Sequence, residues 1–230
     1  MTPSAGTGTD RRTGGLSPVM EIDIYADVVC PWCWIGLRRL EEALASYDGE
    51  VTVRHRPFQL DPSPVTAPVP LLDALAAKFG GPEQAQQMAA QVTEIGASVG
   101  LELNFSRAIA ANTFEAHRLI DWASERGRGT ETVNALHKAH FTDGVDIGDR
   151  AALAEIATGV GLDGAEARRF LDSDEGVPAL DEELTEARQL GITSVPTFVF
   201  AGKYAVSGAQ DPATLLAALS EVAEREAAGS

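Results

Sequence analysis

Residues 22–47 have the sequence IDIYADVVCPWCWIGLRRLEEALASY, which contains the only two cysteines of the chain, Cys30 and Cys33. The run from Ile22 to Val29 is mostly apolar, which is typical of a buried strand. After the cysteines, apolar residues recur every three or four positions, as one face of a helix requires. Pro31 suits the first turn of that helix, because its fixed φ angle is helical and the N–H that it lacks would be unpaired there. The cysteine pair is therefore predicted to lie where a strand passes into a helix.

This placement has chemical consequences for the two sulfurs. Cys30 falls at the helix cap, where free backbone N–H groups and the positive end of the helix dipole stabilise an anion. A thiolate is such an anion, so the pKa of Cys30 is expected to be lowered. Cys33 lies one turn further on, and the irregular first turn can bring it within disulfide distance. The arrangement predicts an exposed attacking sulfur on Cys30 and a sheltered resolving sulfur on Cys33.

Three other interpretations of the cysteine pair are open. A zinc site would need more ligands, and there is no second pair of cysteines, although His137 and His140 could complete a set of four. A structural disulfide across so short a loop would stabilise little, because the entropic gain grows with loop length. Two buried thiols can also be inert packing residues. The spacing favours redox chemistry, and no metal site is predicted.

Composition limits the class of protein. The chain has 18 basic and 34 acidic residues and a net charge of −16, so neither nucleic acid nor an anionic membrane is expected as a partner. No apolar run reaches the roughly 18 residues of a membrane span. Residues 1–19 have no apolar core of a secretory signal and are rich in Gly, Ser, Thr and Pro, which predicts a disordered leader. Without export the protein is expected to be cytoplasmic, where dithiols are kept reduced.

Strand and helix patterns alternate at the two ends of the chain. The predicted strands are 21–29, 51–56, 197–200 and 204–207, and the predicted helices at these ends are 31–47 and one from Pro212 onward. The first two strands are joined by a helix and are expected to be parallel. The last two are expected to form a hairpin around residues 201–203.

Only helices are predicted in the middle of the chain, after a connector with five prolines at 57–70. The expected caps are Asn112 with Glu115 in a capping box, Thr130 for a helix at 131–141, and Asp149 and Asp163 for the next two helices. The strand and helix order β-α-β…β-β-α then predicts an α/β protein with a thioredoxin-like fold. We expect that fold to comprise residues 20–66 and 190–226, with a helical insertion domain at 67–189.

Five segments of residues 20–222 resemble the DsbA-like thioredoxin family, specifically its FrnE-type branch. They are DVVCPWCWIG at 27–36, RPFQLDP at 56–62, NTFEAHRL at 112–119, GITSVPTF at 191–198 and VSGAQ at 206–210. The resemblance implies a helical insert that caps a thioredoxin domain, and thiol–disulfide oxidoreductase activity. It also implies that the bond before Pro196 is cis and faces the cysteines, whereas the residues alone allow a simple proline at a strand entry. Glutathione-using relatives of the kappa transferase and hydroxychromene-carboxylate isomerase type carry serine in place of Cys30.

The predicted function is therefore exchange between thiols and disulfides of proteins, peptides or small molecules. Cys30 attacks as a thiolate and Cys33 resolves the mixed disulfide, with no resident cofactor. Val195 and Pro196 are expected to bind the substrate backbone. Trp32 and Trp34 are expected to add apolar contacts, although Trp34 is equally well explained as a core residue.

Several further points are open from the sequence. A glutathione-dependent transferase or isomerase and a holdase-like binding module are the alternative functions, and glutathione is a candidate co-substrate. The partners are expected to be protein or peptide thiols and disulfides, and the chain a monomer or a homodimer. His117 is interpreted as a structural histidine.

Overall fold

The structure is a computed structural model that describes residues 19–65 and 67–229. Except for its last residue, the predicted leader at 1–19 lies outside the described residues, and so does position 66, where the first part of the thioredoxin-like domain was expected to end. Within the described ranges, no helix combines the length and apolar character that crossing a membrane requires.

Four strands form one mixed sheet in the order β2-β1-β3-β4. They are β1 (Met20–Ala26), β2 (Val51–Pro57), β3 (Thr197–Phe200) and β4 (Tyr204–Ser207). Strands β1 and β2 are parallel, and β3 is antiparallel to both of its neighbours. The predicted parallel unit and the predicted hairpin are thus confirmed, together with the α/β thioredoxin-like fold.

Nine α-helices are present in the described part of the chain. They are α1 (Pro31–Leu44), α2 (Leu71–Phe79), α3 (Pro82–Ser98), α4 (Phe114–Ser124), α5 (Gly129–Lys138), α6 (Arg150–Gly159), α7 (Gly164–Leu171), α8 (Val177–Gln189) and α9 (Pro212–Ala228). A π-helical turn, Ala139–Asp143, continues α5. The seven helices from α2 to α8 lie between β2 and β3, where only helices were predicted.

The first strand and helix are shorter than predicted. Strand β1 ends at Ala26 rather than at residue 29, because its partner strand ends opposite it at Pro57. The chain then turns, and the Cys30 N–H donates to the Asp27 carbonyl at 3.0 Å. Helix α1 ends at Leu44 rather than at residue 47, since the N–H groups of Ser46 and Tyr47 bond three residues back instead of four.

Two of the predicted caps are confirmed and two are wrong. Asp149 accepts a hydrogen bond from the N–H of Ala152, and Asp163 accepts two at the start of α7. Thr130 lies inside α5 instead of capping it, and its hydroxyl is 2.9 Å from His55 of β2. Helix α4 has Thr113 at its cap position, and the predicted capping box is absent from it.

The larger of two buried clusters runs without interruption from the sheet into the insertion. It joins Ile22 and Ile24 of β1 to α1 and α9 and also to helices α4 to α7. A smaller cluster packs α2 and α3 against Trp34 and Ile35 of α1. The division into two domains remains a prediction, but the insertion is packed directly behind the helix that carries the cysteines.

Candidate active site

The fold places Cys30 at the cap position of α1, in extended conformation, with Pro31 in the first turn. The pKa of Cys30 lies below its ordinary value, first because the Cys33 side chain hydrogen-bonds to its sulfur. Burial opposes this effect, and backbone hydrogen bonds from Cys33 and Trp32 add to it. The pKa of Cys33 is raised well above its ordinary value, first by burial and then by the hydrogen bond to Cys30. The predicted direction for Cys30 is confirmed.

The predicted exposure of the attacking sulfur is wrong. Cys30 is only 4% exposed, and Cys33 is completely buried. The Cys30 sulfur lies 4.0 Å from the carbonyl oxygen of Val195, which belongs to the loop before β3. This loop covers the sulfur, and its position could not be obtained from the sequence around the cysteines.

The Val195–Pro196 peptide bond is cis, which is the geometry that the resemblance implies. Hydrogen bonds on both sides fix the loop. The Thr197 hydroxyl donates to the carbonyl of Ser194 at 2.8 Å, and the Gly208 N–H donates to the carbonyl of Pro196 at 2.8 Å. The backbone next to Cys30 is therefore held by the hairpin of β3 and β4.

The two tryptophans differ in their surroundings. Trp32 is half-buried and packs at the junction of both core clusters, next to Cys30. Trp34 is 6% exposed, stacks on His137 with ring centres 5.7 Å apart, and donates its indole N–H to Asn134 at 3.3 Å. Trp34 is therefore a core residue that joins α1 to α5, in line with the alternative interpretation of it, and its substrate contact stays a prediction.

Asp27 is a buried carboxylate that was not singled out from the sequence, and it is 1% exposed. One of its oxygens accepts from the Leu60 N–H at 2.8 Å, and the other lies 3.3 Å from Nε2 of His117. The same Nε2 is 3.0 Å from the carbonyl of Phe58, so this nitrogen carries the hydrogen. The hydrogen bond to Phe58 agrees with the structural interpretation of His117, and the ring also faces the Asp27 carboxylate, three residues before Cys30. The second of the two acidic residues in the apolar run 22–29 was the available signal.

The two histidines named in the zinc interpretation are core residues. His137 and His140 are fully buried, and burial lowers the pKa of His137 to about 3 and that of His140 to about 4. Their rings pack against Trp34 and Phe141. Over residues 19–65 and 67–229, no group of three or more His, Cys, Asp or Glu side chains is arranged to hold a metal ion.

The lowered pKa of Cys30 gives a first testable prediction. Alkylation of the reduced protein by iodoacetamide is expected to modify Cys30 and to spare Cys33. The midpoint of the pH–rate profile should lie below the ordinary thiol value of 9.0, and peptide mass spectrometry after digestion identifies the site. Cys33→Ala should move the midpoint upward, because it removes the main cause of the shift. Equal modification of both cysteines would contradict the assignment.

Comparisons with known proteins agree with this geometry. The DSBA-like thioredoxin domain family matches residues 21–220. The uncharacterized protein YwbO of Bacillus subtilis (strain 168) is 30% identical over 193 residues, which are 83% of this chain and 90% of that protein. The crystal structure of a probable DsbA oxidoreductase, SCO1869 from Streptomyces coelicolor, is 36% identical, with a TM-score of 0.83 over 88% of this chain and 89% of that one.

A structure of 2-hydroxychromene-2-carboxylate isomerase matches with a TM-score of 0.66 over 91% of this chain and 99% of that one. Its sequence identity is 18%, so the likeness is one of fold alone. The family match is of a different kind, because it spans most of the chain and includes the cysteine pair and the loop that faces it. The chain therefore belongs to the DsbA-like thioredoxin domain family.

Proposed function

We propose that the protein is a thiol–disulfide oxidoreductase that works through Cys30 and Cys33. The observation that carries this proposal is the pairing of a lowered pKa at Cys30 with a raised pKa at Cys33, within hydrogen-bond contact. The thiolate is the nucleophile in thiol–disulfide exchange. The opposite pKa shifts support attack by Cys30 and resolution by Cys33.

In the proposed reaction the Cys30 thiolate attacks one sulfur of a substrate disulfide. A bond forms between Cys30 and that sulfur, and the other substrate sulfur leaves as a thiolate. Cys33 then loses its proton and attacks Cys30, which releases the second substrate thiol and leaves a Cys30–Cys33 disulfide. Run in reverse, the same steps oxidise a substrate dithiol.

The substrates are proposed to be thiols or disulfides of proteins and peptides in the cytoplasm. The backbone of Val195 and Pro196 would align an extended substrate beside Cys30, because the loop carbonyl lies 4.0 Å from the sulfur. Trp32 would supply an apolar contact. No resident cofactor is proposed, and glutathione is proposed as a small thiol that reloads the reduced state.

A trapping experiment tests this function. The Cys33→Ala variant, mixed with a peptide that contains one disulfide, is expected to accumulate a covalent adduct through Cys30, visible as a mass increase that reducing agent reverses. The matched Cys30→Ala variant keeps Cys33 and should form none, because Cys33 is enclosed and its pKa is raised. Wild-type protein should reduce the peptide catalytically with glutathione as the thiol. Absence of both turnover and adduct would refute the function.

A further inference from the structure

Strand β2 lies at one edge of the sheet, because β1 is its only neighbour among the described strands. The Met20 N–H at the start of β1 donates to the Glu50 carbonyl, and the Phe58 N–H donates to the Ala26 carbonyl at its end. Successive residues of a strand direct their backbone groups to opposite sides. The even-numbered residues of β2 therefore bond to β1, and the odd-numbered residues face away from the sheet.

The outward residues of β2 that carry both an N–H and a C=O are Val51, Val53 and His55. None of these backbone groups has a hydrogen-bond partner within residues 19–65 and 67–229. A row of unpaired backbone groups at a sheet edge is a template for another extended chain. The edge of β2 is thus open to strand pairing.

An open cleft of about 490 Å³ lies against this edge. Residues 53–56 of β2 form one wall of the cleft, and the end of α4, the turn after it and the start of α5 form the opposite wall. The two walls meet where Nε2 of His55 lies 2.9 Å from the Thr130 hydroxyl. The volume is within the range of binding sites for small ligands. Three residues of an extended chain span only about 10 Å, so a short strand matches this recess.

The lining of the cleft carries more negative than positive charge. Its charged residues are Asp121, Glu125, Glu131 and Glu183, against Arg54 and Arg56. Both arginines already have partners, because Arg54 pairs with Glu21, and Arg56 lies 3.3 Å from Glu183. Asp121 makes no ion pair with any residue that the structure describes, although it is more than half enclosed by the walls of the cleft. A ligand with a positive charge would therefore complement the cleft.

We propose that the cleft binds an extended peptide segment with a lysine or arginine side chain, which adds a strand along the free edge of β2. The peptide backbone would exchange hydrogen bonds with Val53 and His55, and its cation would pair with Asp121. A second copy of the chain is disfavoured as the occupant, because each copy carries a net charge of −16 and the same acidic cleft. Neither cysteine lines the cleft, so this binding goes beyond the proposed exchange reaction and does not depend on it.

The titration of Asp121 gives the proposed binding a pH dependence. Burial is the largest cause that raises the pKa of Asp121, which lies at about 7. The titratable and charged groups around it are Glu183 and Glu125, which also raise the pKa, His117 and Arg56, which lower it, and His55 on the facing strand. Above pH 7 Asp121 is a carboxylate that attracts a cation, and below pH 7 it is neutral. Affinity for a basic peptide is therefore expected to rise with pH through about 7.

A short cysteine-free peptide of alternating lysine and valine, labelled with fluorescein, is a suitable probe. Fluorescence anisotropy with the full chain measures its Kd. Glutamate in place of the lysines should abolish binding. N-methylation of one alternate set of peptide amides should weaken binding roughly tenfold, because these amides donate to β2, while methylation of the other set should have little effect. This comparison uses wild-type protein, so it does not depend on the folding of a variant.

Two charge variants locate the cation. Asp121→Asn should weaken binding roughly tenfold above pH 7 and remove the pH dependence, as expected for a lost partner of a charged group. Glu94→Gln is the matched control, because it removes one negative charge from α3, which does not line the cleft. Its Kd and pH dependence should equal those of the wild type.

Two proline variants locate the strand. Val53→Pro removes an outward N–H without breaking a bond to β1 and should weaken binding roughly tenfold. Ala205→Pro is the matched control on the opposite edge of the sheet. The Gly208 N–H donates to the Pro196 carbonyl, so the even-numbered residues of β4 face β3 and Ala205 faces outward. Circular dichroism checks that both variants are folded, and only Val53→Pro should lose affinity.

Three results would overturn the proposal. The first is equal affinity for the two methylated peptides, which would mean that no strand is formed. The second is a wild-type Kd and pH dependence in Asp121→Asn. The third is a dimer in sedimentation experiments that the peptide dissociates, because the occupant of the edge would then be a second copy of the chain.

Discussion

Replacement of Arg118 by methionine is expected to lower the free energy of unfolding by about 3–5 kcal/mol. The Arg118 side chain is completely buried in α4, and its guanidinium lies over the ring of Phe170. It pairs with Glu115 at 2.5 Å, one turn earlier on the same helix. Its other hydrogen bonds go to the backbone carbonyls of Phe170, Leu171, Ser173 and Glu175.

Those carbonyls belong to the end of α7 and the turn that leads into α8. A methionine has a stem of similar length but no donors, so the carbonyls of Leu171, Ser173 and Glu175 would lose this buried partner. Glu115 would keep Arg150, 2.6 Å away, and the Phe170 carbonyl would keep the Ser173 N–H. An unpaired buried polar group costs about 1–3 kcal/mol, and several are created at once. Lysine should recover only part of the loss, because one ammonium cannot reproduce the planar fork of donors.

Denaturant unfolding followed by circular dichroism measures the change. Arg126 provides the matched control, because it follows the same helix, pairs with Glu166 at 2.9 Å and stacks on Trp122, but is one third exposed. Arg126→Met should cost only about 1 kcal/mol, as exposed pairs do. Similar losses of unfolding free energy in the two variants would show that the burial of Arg118 adds nothing to its contribution to stability.

The junction of strand and helix was predictable because its signals are local. The apolar run, Pro31 and the helical spacing after Cys33 all lie within one stretch, and the structure places Cys30 at the cap as expected. The caps at Asp149 and Asp163 were predictable for the same reason, since their partners are two or three residues away.

What could not be predicted depends on partners that are distant in the sequence. The Asn112 oxygen accepts from the Phe114 N–H at 2.9 Å, but its amide donates to the carbonyls of Pro62 and Ser63. Asn112 thereby ties the connector to α4 instead of forming a capping box. Thr130 likewise meets His55 of β2, and no pattern around either residue indicates such a contact.

The candidate site likewise combines features that the sequence predicts with features that it does not. The two cysteines and Pro196 could be recognised from their motifs, whereas the cover over Cys30 and the contact of Asp27 with His117 could not. Each of these features is formed by elements about 90 or more residues apart in the chain. The insertion also contributes to the candidate site, because it carries His117. The predicted division into two separate domains does not suggest this contribution.

Gly36→Ala is expected to slow thiol–disulfide exchange by roughly ten- to a hundredfold, because small displacements of reacting groups have effects of this size. Gly36 is buried in α1, one turn after Cys33. A Cβ atom there would lie 2.9 Å from Cγ of Pro196 and 3.2 Å from the ring of Phe198. The distance to Pro196 is shorter than real Cβ contacts, and the distance to Phe198 is unusually tight. The helix and the proline loop therefore approach this closely because residue 36 is glycine.

The loop is expected to yield, since Phe198 is fully buried in the central part of the sheet. Outward movement of Pro196 carries the Val195 carbonyl with it and changes its 4.0 Å separation from the Cys30 sulfur. The start of α1 is expected to stay in place. The alkylation midpoint of Cys30 should therefore change little, while kcat/KM for a peptide disulfide should fall.

Gly96→Ala separates this effect from a general loss of stability. Gly96 is a buried glycine in α3, where a Cβ would lie 2.8 Å from Leu103, away from the cysteines. Both variants overpack the core and should lose about 1–3 kcal/mol of unfolding free energy. Only Gly36→Ala should lose exchange activity, because only there does the added methyl group press on the backbone beside Cys30. Equal activity in the two variants would mean that the separation of α1 and the proline loop does not control the reaction.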